Sequence, residues 1–273
     1  MNIFISADIE GIGGVMGKLH ADPEGARYQQ ACEWMVEEVN AAVRGALAAG
    51  AQRIVVKDAH DGANNIPLDR LHPAAELISG WGPLNSMVEG VDTTFNAVFL
   101  IGYHPRAHTV DGTLAHTWSG NVLDFRLNGE PIGESAWAAA FAGHFDVPVA
   151  LVTGDERLKA QLDRELPAGF EFVATKTGLA FNAARMRPIA KVREDIEAAA
   201  RSATVRASQI EPLKPRLPVT LTVRFRHWEG LNICACVPGV ERLAADTFQC
   251  VARDMMEAQK YFVVLHRLAR PAS

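Results

Sequence analysis

Apolar residues fall along this chain in short unbroken runs that end in polar, glycine-rich loops. Residues 2–8, NIFISAD, form the first run, and RIVVKDAHDG (53–62), NAVFLIGYH (96–104) and PVALVTGD (148–155) repeat the pattern. A run that is apolar without alternation reads as a strand buried on both faces. Between the runs the spacing turns helical. It does so over 23–49, stopping at Gly50, a favoured residue just past a helix end, then in ERLKAQLDREL after the fourth run, and again over 188–203. Strands separated by helices predict an α/β fold: a mainly parallel sheet with helices on both faces.

Residues 122–135, VLDFRLNGEPIGES, break this rhythm. Asn128-Gly129 is a hairpin signal, and a helix of small residues, SAWAAAFAGHF, follows, so a two-stranded excursion leaning over the sheet is expected. After the proline-rich SQIEPLKPRLP the pattern alternates. VTLTVRFR and LNICACV read as strands, a helix is expected over about 241–259, and YFVVLHRL closes the chain as a further apolar run. This change of pattern divides the chain into an α/β domain over 1–203 and a smaller α+β region over 204–273.

With 273 residues, 48% of them apolar, the chain can bury a large core. No apolar stretch approaches the ~20 residues of a membrane span, and no basic leader precedes the first strand, so a cytoplasmic protein that does not engage membranes is expected. A net charge of −5 without a lysine and arginine cluster argues against nucleic acid and for a small or cationic ligand. The four cysteines lack framework spacing. Cys234 and Cys236 alternate along the expected strand, which reads as buried thiols rather than a disulfide or zinc knuckle.

Open α/β sheets bind ligands beyond the carboxyl ends of their parallel strands. There stand Asp8 and Glu10 after the first run, Asp58 and His60 after the second, and His104 after the third. Side chains two apart on a strand point the same way, which lets Asp8 and Glu10 converge on one cation. That pair would repel phosphate, and GIGG has neither dinucleotide nor phosphate-loop spacing; it reads as a tight turn bringing backbone close to a ligand. Each histidine alone could be an ordinary loop residue, and Glu134 could simply favour a helix N-terminus. Together, two carboxylates and two imidazoles at one sheet edge, with Glu134 at a strand-to-helix turn, offer the oxygen and nitrogen donors that suit zinc. Five donors exceed the needs of one catalytic zinc, and a carboxylate shared between two metals roughly 3.5–4 Å apart absorbs the excess. His116, in the polar loop GTLAHTWSG (112–120), could move protons beside such a centre, serve as a sixth ligand, or be an ordinary loop residue.

SADIEG (6–11), KDAHDG (57–62), IGYH (101–104), LAHTWSG (114–120) and NGEPIGES (128–135) resemble the zinc-dependent D-aminopeptidases of the dipeptide-permease operon type, and the likeness extends over most of the chain. The resemblance implies an aminopeptidase with two Zn2+ per chain. In it Asp8 matches the bridging ligand, Glu10, His60, His104 and Glu134 match the other ligands, and His116 falls on the catalytic histidine. It also implies a ring-shaped homodecamer with active sites facing an internal channel.

The chain departs from the family pattern at HPRAHTVDG (104–112) and ESAWAAA (134–140), next to the expected centre. There His108 could compete for a metal, Arg106 could recruit a substrate carboxylate, and Trp137 could narrow the pocket. The leading reading is a metal-bound hydroxide attacking the carbonyl of a short peptide whose free N-terminal residue is a small D-amino acid, with His116 assisting. Asp58, Asp61 and Asp111 are candidates to hold the substrate ammonium, Asp58 being alternatively a partner that orients His60. The alternatives are an amidase or phosphohydrolase built on the same metals, and a non-enzymatic metal-stabilised assembly that binds peptides.

Overall fold

The computed structural model describes residues 1–227 and 229–269, so the last four residues of the expected 204–273 region lie outside the described residues. The strands are β1 (Asn2–Ala7), β2 (Arg53–Asp58), β3 (Ala75–Ile78), β4 (Ala97–Tyr103), β5 (Val122–Leu127), β6 (Glu130–Pro131), β7 (Val149–Asp155), β8 (Glu171–Ala180), β9 (Ala183–Met186), β10 (Val219–Phe225), β11 (Val240–Ala244) and β12 (Thr247–Ala252). The helices are α1 (Lys18–Ala21), α2 (Tyr28–Ala48), α3 (Glu134–Gly143), α4 (Glu156–Glu165), α5 (Ile189–Arg206), α6 (Leu231–Cys234) and α7 (Met255–Leu268). Among the described residues, no helix is long and apolar enough to cross a membrane.

The main sheet has seven strands in the order β3-β2-β1-β4-β7-β8-β9, parallel throughout except for the β8–β9 pair. Strands β4 and β7 are buried along their whole length, as their unbroken apolar sequences require. Alternation then assigns each face. Ile3, Ile5, Ile54, Val56, Phe99 and Ile101 join the core built with α2 and α5, while Phe4, Val55, Val98 and Leu100 join the core shared with α3, α7 and a second sheet. The expected α/β fold, with a mostly parallel sheet and helices on both faces, is the one observed.

The second sheet is antiparallel and has five strands, in the order β11-β12-β10-β5-β6. The expected hairpin is present as β5–β6. Instead of merely leaning over the main sheet, β5 pairs with β10, so this sheet draws on chain from both sides of position 203. Two local expectations are corrected. LNICACV is not a strand: Leu231 and Cys234, three apart, are buried on the one-turn helix α6, and Cys236 is exposed. The expected helix over 241–259 is instead a hairpin followed by a helix. In β12 Phe248, Cys250 and Ala252 alternate inward, and helical structure begins only after Asp254, whose side chain accepts from Glu257 N–H. YFVVLHRL therefore lies in α7, where Phe262 and Leu265 face the core. All four cysteines are free thiols.

Candidate metal centre

Asp8 directly follows β1, His60 lies two residues beyond β2, His104 directly follows β4, and Glu134 opens α3. All five expected donors are buried. The arrangement around Asp8 is divided: its Oδ1 lies 3.3 Å from His60 Nδ1, and its Oδ2 lies 3.5 Å from His104 Nε2. Glu10 Oε2 joins the first side, 3.0 Å from His60 Nδ1, and Glu134 Oε1 joins the second, 3.4 Å from His104 Nε2. His116 Nε2 stands farther out, 3.8 Å from Glu10 Oε1 and 4.0 Å from Glu134 Oε1. Among the described residues, donor atoms of Asp8, Glu10 and His104 and of His104, His116 and Glu134 form two groups within 4.8 Å. Exposed His108 belongs to neither.

Backbone carbonyls set the ring orientations. His60 Nε2 is 2.7 Å from Ala21 O, His104 Nδ1 3.0 Å from Pro105 O, and His116 Nδ1 2.8 Å from Leu114 O. A carbonyl can only accept, so each of these nitrogens carries a proton and the other ring nitrogen faces the carboxylates, free to bind a metal once its own proton is lost. Sequence reasoning missed all three carbonyls, since a main-chain oxygen has no residue-type signature. Asp58 is the further support. Its carboxylate accepts from the N–H groups of Asn65 and Ile66 and from Asn65 Nδ2, and Asn65 Nδ2 also reaches His60 O. It is buried and fully engaged, which removes it as a receiver of substrate and makes it the anchor of the loop bearing His60.

Three carboxylates packed this closely need positive charge between them. Burial, and then the charge of Glu10, push Asp8 up to about 8. Burial works against ionised His104, yet Glu134 and Asp8 outweigh it and raise the ring to about 10. Burial and the neighbouring His104 lower His116 instead. Asp8 Oδ2, Glu10 Oε2 and His104 Nε2 are buried without a hydrogen-bond partner. Orphaned donors of these types, aimed at one another, fit divalent cations with a preference for mixed oxygen and nitrogen ligands.

The flanking residues are placed as follows. Trp137 is in the core, 1% exposed, its Nε1 donating to Gln259 Oε1 and its ring against Phe125 and Phe262, so it lines no pocket. Arg106 Nε lies 3.5 Å from Glu165 Oε1 in α4, an ion pair at that distance. Asp61 and Asp111 are exposed loop residues, and Asp111 stands 4.0 Å from Arg157. Trp118 was not foreseen: its backbone N–H donates to Glu134 Oε1 at 2.5 Å, from a left-handed conformation with φ 61°.

Comparison with known proteins gives concordant results. The family model Peptidase M55, described as D-aminopeptidase, matches residues 1–264. A D-aminopeptidase of Bacillus subtilis (strain 168) is 32% identical over 274 residues, covering 100% of this chain and 99% of that protein. Among solved structures, the Zn-dependent D-aminopeptidase DppA from Bacillus subtilis, described as a self-compartmentalizing protease, matches with a TM-score of 0.94 and 32% identity over 100% of this chain and 99% of that one.

Proposed function

Since the chain belongs to the M55 peptidases, zinc-dependent D-aminopeptidases that hydrolyse peptide bonds, we propose that it holds two Zn2+ per chain and removes a small N-terminal D-residue from short peptides. The observation that carries this reading is the divided carboxylate of Asp8, one oxygen toward His60 and the other toward His104. Asp8 would be shared between the two ions, with Glu10 and His60 to hold one and His104 and Glu134 to hold the other. Bound zinc supplies Lewis acidity and an acidified water as the nucleophile.

The chain's own residues do the rest. His116 is the most open of the three imidazoles, its side chain 24% exposed against 8% for His60 and 1% for His104. With its Nδ1 proton committed to Leu114 O, Nε2 is the atom that takes a proton from the nucleophile and returns it to the leaving amine. The Trp118 N–H holds Glu134 in place, and Asp58 holds the His60 loop. The self-compartmentalizing character of DppA supports a homo-oligomer for this chain; the form proposed for it is a cytoplasmic decamer with sites opening on an internal channel. Light scattering returning a monomer at micromolar concentration would remove that part of the reading.

The deciding experiment combines elemental analysis with a panel of D-aminoacyl, L-aminoacyl and N-acetylated peptides and a phosphate ester, each with and without chelator. Two zinc ions per chain, both lost in Asp8→Ala, and chelator-sensitive cleavage of the free-amine D-peptides alone are expected. Full occupancy in Asp8→Ala overturns the bridge. Equal turnover of acetylated peptides overturns recognition of the amine.

A further inference from the structure

A buried cation lies outside the donor set. Lys176, in β8, has no exposed surface, and its Nζ donates to the main-chain carbonyls of Glu10 (2.5 Å), Ile12 (3.0 Å) and Val15 (2.5 Å). All three ammonium protons thus end on one loop, the loop that carries Glu10. The same loop is tied at three further points: Thr175 Oγ1 donates to Gly11 O, Gly13 N–H donates to Glu38 Oε1 in α2, and Gly11 N–H donates to Gly102 O in β4. It leaves β1, next to the central strand β4, and reaches β8 across the ends of β4 and β7. Gly11 makes this path possible, since a Cβ there would stand 2.0 Å from Tyr103 O.

We propose that Lys176 is a positioning residue for the metal centre, its ammonium serving as the internal cation around which the 10–15 loop folds so that the Glu10 carboxylate is presented to His60 and Asp8. The proposal rests on Glu10 being a zinc ligand. Gly11, Gly13 and Gly14 leave this loop with little stiffness of its own, whereas metal ligands must be held to within roughly 0.5 Å. An apolar side chain of similar length would fill the space without the cost of burying a charge. What the ammonium adds is three bonds to the ligand-bearing loop. Three carbonyl oxygens, which can only accept, surround the Nζ, so all three of its hydrogens are engaged and the group is held as the ammonium.

The test uses the full-length protein and its Lys176→Met, Thr175→Val and Glu10→Gln variants. Zinc affinity is read by chelator competition and ligand geometry by the absorption spectrum of the cobalt-substituted protein, with circular dichroism and melting temperature as controls. Lys176→Met is expected to keep its secondary structure, lose about 10- to 100-fold in affinity for one ion and change the cobalt spectrum. Thr175→Val, which removes an independent tie to the same loop, is expected to move both readouts in the same direction by less, and it carries the test if Lys176→Met does not fold. A folded Lys176→Met with native affinity and spectrum, beside a Glu10→Gln that loses an ion, overturns the proposal while leaving Glu10 a ligand. Native affinity in Glu10→Gln overturns the ligand assignment itself, and the proposal with it.

Discussion

The imidazoles of His104 and His116 lie stacked, with ring centroids 4.1 Å apart and planes 8° from parallel. Each is fixed through Nδ1 by a backbone carbonyl and turns Nε2 toward Glu134 Oε1, yet they differ in depth. Burial, and after it the charge of the neighbouring His104 ring, hold His116 below an ordinary histidine. A ring kept neutral beside a positive centre suits a proton acceptor. His116→Ala is expected to retain its zinc and lose about 10²- to 10⁴-fold in kcat. Elemental analysis checks the assignment: loss of an ion from this variant makes His116 a ligand instead.

Asp58 gives a second expectation. It satisfies the N–H groups that turn the chain through 60–66, so Asp58→Ala leaves several buried donors unpaired. A loss of about 1–3 kcal/mol in unfolding free energy is expected, with zinc affinity about 10- to 100-fold weaker through the displaced His60. Urea unfolding and chelator competition measure the two effects. A stable variant with reduced affinity only for substrate would return Asp58 to the role of ammonium receiver.

Trp137 sits one turn into the helix that Glu134 opens, but it faces Phe125 and Phe262. Trp137→Phe is expected to cost about 1–3 kcal/mol, because Gln259 Oε1 loses its buried donor, while kcat/KM and the D/L preference stay near those of the native enzyme. A changed substrate preference at unchanged stability would place the ring at the pocket after all.

Glu38 supplies a pH dependence. Burial raises its carboxyl from 4.5 to about 7, against the pull of the Gly13 N–H and the Lys176 charge. Below pH 4.5 both folded and unfolded chains hold the proton. Between 4.5 and 7 the unfolded chain releases it while the folded one keeps it, so rising pH removes stability, about 3 kcal/mol in all. In metal-free protein the stability difference between native and Glu38→Gln should fall by that amount across the window and level off above it. A difference that stays flat from pH 4.5 to 8 would show Glu38 ionised in the fold.

The parallel sheet and the donor residues were legible because each rests on a local pattern. Unbroken apolar runs announce β1, β2, β4 and β7, and the acids and histidines stand at the ends of the first three. The C-terminal region misled for a corresponding reason: Val240–Ala252 contains enough helix-favouring residues to read as one helix, while the partner that makes β12 a strand is β10, far off in sequence. Asp58 was legible as an acid and as one alternative for orienting His60, but the way it does so was not, since its partners include the main-chain N–H groups of Asn65 and Ile66. Lys176 carried a faint signal, a charged residue inside a strand. GIGG was read as backbone approaching a ligand, whereas it approaches the protein's own β4 and the ammonium of Lys176.

The pairing of β5 with β10 has a bearing on the order in which the chain is synthesised. Thr220 N–H reaches Asn128 Oδ1 across 92 residues, and the end of α7 is tied to the segment just beyond His116, His266 Nε2 against Ser119 Oγ and Ala269 O accepting from Asn121 Nδ2. A nascent chain emerging from the ribosome therefore displays every residue of the candidate metal cluster long before the α7 contacts to Ser119 and Asn121 can form. A chain that stops short of α7 carries the metal-binding donors without the contacts that hold residues 119–121.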